Sequence, residues 1–154
     1  MEQTLIIIKP DGVNRGIIGE VVHRFERKGL KIVGIKMDHL KDEILDIHYG
    51  HHKDKPFFTM LKNFMKSAPA LLVVLEGNNA VEVVRMMAGA TTGYEAAPGT
   101  IRGDYSMSHQ HNIIHASDSV ENAQKEISRF FPKDEVFPYK RIDWEVVYAE
   151  DERE

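Results

Sequence analysis

Apolar residues along this chain fall into two alternating patterns, unbroken β-branched runs and stripes at helical spacing. Thr4 to Ile8 ("TLIII") is short, apolar and β-branched, the signature of a central strand buried on both faces. The turn signal "KPDG" closes it and leaves Lys9 at the strand's carboxyl end. Ile17, Ile18, Val21, Val22 and Phe25 then recur as on one face of a helix, with Gly29 placed to stop it. Leu30, Ile32, Ile35 and Met37 alternate as a strand does, broken once at Val33. Polar, helix-compatible sequence runs on through Tyr49, and Pro56 starts a further short helix. Ala70 to Leu75 is a second wholly apolar strand. Val81, Val84, Met87 and Ala88 predict a helix over Ala80–Ala88, closed by Gly89.

From Gly89 to Met107 the chain is glycine-rich and weakly periodic, which marks a functional loop. "NIIH" reads as a short strand and "SDSVENAQKEISRFF" as a helix. Asp118 and Glu121 are spaced as a capping box, and Val120, Ala123, Ile127, Phe130 and Phe131 form the stripe expected to be buried. The order β-α-β-(α-α)-β-α-loop-β-α has no repeat, linker or break in composition. It predicts one α+β domain over residues 1–154, a ferredoxin-like β-α-β-β-α-β sandwich with an antiparallel sheet and helices packed on one side of it. The acidic end, residues 150–154, is expected to fray.

Composition removes several kinds of chemistry. There is no cysteine, so disulfides, thiolate metal sites and cysteine nucleophiles are excluded. The formal charge of −4 argues against stable nucleic-acid binding, so any phosphate ligand needs a local pocket of Lys and Arg. Apolar runs such as "PALLVVLE" are too short to span a bilayer, and the chain is expected to be cytoplasmic with no membrane partner. No P-loop, G-x-G-x-x-G, G-x-S-x-G or H-E-x-x-H sequence occurs.

The remaining candidates are scattered. His115 stands between an apolar strand and a capped helix, so its side chain is expected to face that helix's amino end, where negative charge is favoured. Glu126 lies roughly 40° around the helix from Phe130 at ~100° per residue, at the edge of the apolar stripe. There it is placed to hold one imidazole nitrogen and leave the other as a nucleophile. Arg102 sits in "GTIRGD", where flanking glycines let the backbone approach a ligand and a guanidinium grips phosphate. Lys9 ends a central strand, and Arg85 lies on the Ala80–Ala88 helix. Taken singly, each also reads as a packed histidine, a helix-border glutamate, or a solvated cation. A zinc site from His109, His111 and His115, with His48, His51 and His52 of "HYGHH", is disfavoured. The spacing is not that of ligands on one element, and no cysteine supports it.

Together "KPDGV", "HKDKPFF", "PGTIRGD" and "NIIHASDSVENAQKEI" resemble the nucleoside diphosphate kinases, with an archaeal flavour, from about Thr4 to Phe131. The resemblance implies transfer of a γ-phosphoryl group from a nucleoside triphosphate to a nucleoside diphosphate, by a ping-pong route through a phosphohistidine on His115. It implies that Glu126 bonds the imidazole with Ser117 beside it. Arg85, Thr91 and Arg102 then contact phosphates, and Lys9 reaches the sugar hydroxyls and the transferring group. Tyr49 sits near the phosphates, Asn112 meets the sugar 3′-hydroxyl, and Phe57 stacks on the base. Mg²⁺ is expected with the nucleotide, held by its phosphates, with no direct protein ligand and with Asp118 reached through water. The family assembles as homo-oligomers, hexamers or tetramers. A non-catalytic nucleotide-binding relative is the alternative, and the intact set of His115, Glu126, Lys9, Arg85 and Arg102 argues against it. Departures are Ala90 and Thr92-Gly93 in the loop, Ala116 after the histidine, and His109 where an apolar residue is usual near the base.

Overall fold

Two wholly apolar runs pair to make the centre of the sheet. β1 (Glu2–Ile8) lies antiparallel to β3 (Ala70–Gly77), with Leu5 opposite Val74 and Ile7 opposite Leu72. β2 (Lys31–Asp38) adds to the far side of β3, and β4 (Ile114–Ala116) to the far side of β1. The order β2-β3-β1-β4 is antiparallel throughout, the arrangement of a split β-α-β fold. The break in alternation at Val33 is a bulge, where the β2–β3 register shifts between Ile32 and Gly34. The structure, a computed structural model, describes residues 1–153.

Helices cover both faces of this sheet, not one. Leu5, Ile7, Leu72 and Val74 pack against Leu45 of α3 (Asp42–His48), Leu61 and Met65 of α4 (Phe58–Lys66), and Ile127 and Phe130 of α7 (Val120–Phe130). The alternate residues Ile6, Ile8, Val73 and Leu75 pack against three other elements. These are Val21 and Phe25 of α2 (Ile18–Lys28), Val84 of α5 (Ala80–Ala88) and Ile101 of α6 (Ile101–Tyr105). The reason is in the strands: a run that is apolar at every position leaves neither face fit for water.

Four local expectations change. "KPDG" forms a short helix, α1 (Pro10–Asn14), with proline at its first position. The loop after Gly89 contains α6 and a 3-10 turn at Gly93–Glu95. The cap of α7 is Ser119, whose Oγ accepts from Asn122 N at 3.1 Å, while Asp118 bonds the Asn122 side chain; Val120 is exposed, not part of the stripe. Beyond α7 the chain crosses β2. Phe137 N donates to Val33 O, and Trp144 of α8 (Trp144–Val147) donates from Nε1 to Gly29 O.

Candidate active site

The site grows from the shortest strand. His115 is the middle residue of β4 and pairs with Ile7 of the fully buried β1. Residues directly opposite in an antiparallel pair share a face, so the imidazole lies on the side covered by α3, α4 and α7. It meets Glu126 partway along α7, not the helix's amino end. His115 Nε2 lies 3.0 Å from Glu126 Oε2, and Ser117 Oγ donates to the same oxygen at 2.6 Å. An ionised carboxylate only accepts, so Nε2 carries the proton and Nδ1 keeps a lone pair. Among the described residues nothing hydrogen-bonds to Nδ1. Burial alone would raise the Glu126 carboxyl. The bond and charge of His115, the Ser117 hydroxyl and His48 outweigh it and bring the group down to about 2.

Two residues before His115 the backbone makes a γ-turn. Ile113 has φ +70°, and Ile114 N donates to Asn112 O at 2.8 Å across it. A β-branched residue with positive φ persists only where its surroundings over-determine it. They do so here. Asp11 Oδ2 accepts from Ile113 N at 3.0 Å, Lys9 N donates to Ile113 O, and Arg102 donates to Asn112 O and Ile114 O. This turn is why only the second half of "NIIH" enters the strand; β4 begins at Ile114, the turn's last residue.

Around the imidazole opens a cleft of about 810 Å³. It is lined by Lys9, Tyr49, Phe57, Arg85, Thr91, Arg102, Asn112, His115, Asp118 and Glu126, so the structure brings these sequence-selected residues together. Ser117 alone lies behind it, fully buried. Lys9 Nζ donates to Asn112 Oδ1 at 2.6 Å, while Asn112 Nδ2 donates to the carbonyls of Thr91 and His109. Burial and the neighbouring Arg102 bring Lys9 down to about 8, against the pull of Asp11. Burial and Arg85 bring Arg102 down to about 10. The Arg85 side chain makes no ion pair or hydrogen bond with any described residue. Lys9, Arg85 and Arg102 thus form a knot of positive charge with little to neutralise it, what a bound polyphosphate would supply. Burial, with the charge of Glu126, pushes the Tyr49 phenol upward, and its hydroxyl has no hydrogen-bond partner among the described residues. Phe57 projects an aromatic face at the cleft's other jaw, edge-on to His52.

The glycines beside Arg102 serve the loop's own packing. Gly99 takes φ +91°, and a Cβ on Gly103 would lie 2.0 Å from Ala97 O. The arginine is held the same way, with Nη1 on Gly89 O at 2.8 Å and Nη2 on Ile114 O at 2.7 Å.

The histidines do not converge. His109 Nδ1 lies 2.9 Å from Thr92 Oγ1, and His111 stacks on Phe64. Among the described residues, His48, His115 and Glu126 alone bring three possible metal-ligand atoms within 4.8 Å. There the Arg129 guanidinium bonds His48 Nδ1, which disfavours a cation. Sequence reading gave His48 and Asp11 no place in this centre. His48 stands four residues after Ile44 and three after Leu45, a helical spacing that puts it on the buried face of α3. Asp11 had no comparable signal.

Comparison with known proteins agrees with this fold. Residues 2–136 match the family model described as nucleoside diphosphate kinase. The nucleoside diphosphate kinase of Parabacteroides distasonis is 55% identical over 99% of both chains. That of Pyrococcus furiosus is 54% identical over 94% of this chain and 92% of its own. A solved structure of the halophilic nucleoside diphosphate kinase from Halobacterium salinarum, in complex with CDP, superposes with a TM-score of 0.94. It is 45% identical over 96% of this chain and 99% of that one. With a family model over residues 2–136 and relatives this similar along the whole chain, the chain belongs to the nucleoside diphosphate kinase family.

Proposed function

We propose that this chain is a nucleoside diphosphate kinase that works by a ping-pong route through a phosphohistidine at Nδ1 of His115. One observation carries the reading. Glu126 ties Nε2, so the ring offers the cleft a fixed lone pair beside Lys9, Arg85 and Arg102. In the first half-reaction Nδ1 attacks the γ-phosphorus. The bond to the β–γ bridging oxygen breaks, its electrons leave on the nucleoside diphosphate, and the Nε2 proton stays against Glu126. In the second, an oxygen of the acceptor's β-phosphate attacks that phosphorus and the N–P electron pair returns to Nδ1. A loose transition state spreads charge over the phosphoryl oxygens, where Arg85, Arg102, Lys9 and the Thr91 hydroxyl meet it, with Tyr49 near the phosphates.

Asn112 has a lone pair left on Oδ1 for the sugar 3′-hydroxyl, and Lys9 shares that task. Phe57 stacks on the base, a π-face contact that any base satisfies. Asp118 is a hard oxygen donor at the cleft's edge and would suit a water-mediated contact to a Mg²⁺ carried by the nucleotide's phosphates. That ion, when bound, neutralises phosphate charge. We also propose that residues 1–154 act as one catalytic domain in the cytoplasm, where the nucleotides are, and assemble as a homo-oligomer. Exposed Ile35 and Met37 on the edge strand β2 support self-association, and sedimentation separates hexamer from tetramer.

Intact mass after brief incubation with ATP and Mg²⁺ tests the reading. The expected product carries one acid-labile phosphate, discharged by a nucleoside diphosphate and absent in His115→Ala. Nucleotide bound without a labile phosphate would instead identify a binding protein of the same fold.

A further inference from the structure

One buried ionisable side chain lining the cleft has no task in this scheme. His48, the last residue of α3, is 5% exposed, and its ring meets that of His115 at 75° with centroids 4.7 Å apart. Arg129 Nη1 lies 3.0 Å from His48 Nδ1. A guanidinium only donates, so Nδ1 accepts and the proton of the neutral ring sits on Nε2. That atom is buried with no hydrogen-bond partner among the described residues. Burial, the charge of His115 and Arg129 bring His48 down to about 3, against the pull of Glu126, so the ring is neutral.

What His48 separates gives it meaning. Glu126 and Arg129 lie three residues apart on α7, a spacing at which carboxylate and guanidinium pair directly. They do not pair. Among the described residues Arg129 makes no ion pair, and His48 Nδ1, 3.9 Å from Glu126 Oε1, takes the guanidinium's hydrogen bond instead. Glu126 spends its other oxygen on His115 and Ser117.

We propose that His48 is a positioning residue for phosphoryl transfer, accepting the Arg129 N–H so that the charge of Glu126 is left for Nε2–H of His115. The proposal rests on the phosphohistidine reading above. A Glu126 bridged to Arg129 shares its charge with a permanent cation and grips Nε2–H less. The proton then distributes over both ring nitrogens, and the fraction of His115 with a lone pair at Nδ1 falls.

The test uses the full-length protein in single turnovers with ATP and Mg²⁺, and ¹⁵N-imidazole NMR of the free enzyme. His48→Phe keeps a ring and removes the acceptor. It should slow phosphohistidine formation roughly tenfold, the loss when a charge-assisted hydrogen bond drops to neutral strength. ATP affinity should hold, and His115 should change from one tautomer to a mixture. The double variant His48→Phe/Arg129→Gln should recover rate and tautomer, because nothing then competes for Glu126. His48→Gln, whose amide oxygen still accepts from Arg129, should stay near the wild-type rate whatever its melting temperature.

A double variant as slow as the single, or His48→Gln as slow as His48→Phe, overturns the proposal. So does His48→Phe with the wild-type rate and a single tautomer. If His48→Phe does not fold, His48→Leu replaces it in the same comparison. Failure of the wild-type protein to form phosphohistidine takes this proposal down with the reading beneath it, a result distinct from all the others.

Discussion

From Leu5 to Ile8 on β1 and from Leu71 to Leu75 on β3 there is no polar side chain, and each of these residues is at most 6% exposed. The segment from Gly89 to Ser117 is fastened in the opposite manner. Arg102 bonds three carbonyls, Asn112 ties Lys9 to two more, Asp11 holds one amide, and Ser106 Oγ donates to His111 O. In the sheet, many residues share one role, and each removal costs stability in proportion to the volume lost. In the segment, single residues hold several backbone groups at once. Their loss disturbs the aim of His115 and the cations more than it disturbs folding.

The comparison can be broken most forcefully at its apolar end. Leu72→Ala should lower unfolding free energy by about 2–5 kcal/mol in denaturant titrations while kcat of the folded fraction holds. A large drop in kcat there would mean that the sheet does more than carry the site. At the polar end, Arg102→Lys keeps the charge but cannot span three carbonyls. It should cut kcat/KM about a hundredfold, ~2.7 kcal/mol of transition-state stabilisation, with a smaller loss of stability. Near-normal kcat/KM would show that charge alone matters at this position.

Changes of pH separate the regions further. Lys9 is charged below about pH 8, so phosphohistidine formation should fall as pH rises through that value. Between about 8 and its ordinary 10.5 the unfolded chain holds this proton and the folded one does not, so the Lys9 contribution to stability rises as activity falls. Acid works on stability in the other direction. His48 titrates at about 3 folded against 6.5 unfolded, and Glu126 at about 2 against 4.5. Both contributions are intact at neutral pH; that of His48 drains away as pH falls below 6.5 and that of Glu126 below 4.5, so His48→Phe should flatten the upper part of the loss in pH-dependent melts. The smallest effect expected concerns the cap of α7. Ser119→Ala should cost about 1 kcal/mol and Asp118→Ala under ~0.5 kcal/mol in stability, and the reverse ranking would return the cap to Asp118.

The same contrast decides what is legible in the sequence. The sheet core, the bounds of Ala80–Ala88 and the bulge at Val33 all leave a periodic trace, because burial acts through side-chain identity. That both faces of the sheet are covered followed from the unbroken run at Thr4–Ile8, although the helices were expected on one side. Clamps onto carbonyls leave no such trace, since every residue has the same carbonyl. Hence the roles of Arg102 and Asp11 in holding the Ile113 turn had no local signal. Ser119 and Asp118 are both good caps in adjacent positions, and the Glu121 spacing favoured the wrong one. The motif residues were found through resemblance, and the bonds among Lys9, Asn112 and Thr91 emerged only in three dimensions.

β4 is three residues long and pairs in the sheet only with β1, so its few ladder bonds do little to prevent it from sliding. Side chains alternate across a strand, and a slip of one residue would carry His115 to the α2–α5 side of the sheet, away from Glu126. Two pins stand at its ends: the γ-turn at Ile113 before it, and Ser117 after it, which exchanges backbone and hydroxyl hydrogen bonds with Leu5. The phase of the strand is therefore itself a catalytic setting. Single-residue insertions or deletions between Asn112 and Ser117 are ruled out for a working enzyme, even where the new residue is one the sheet would accept.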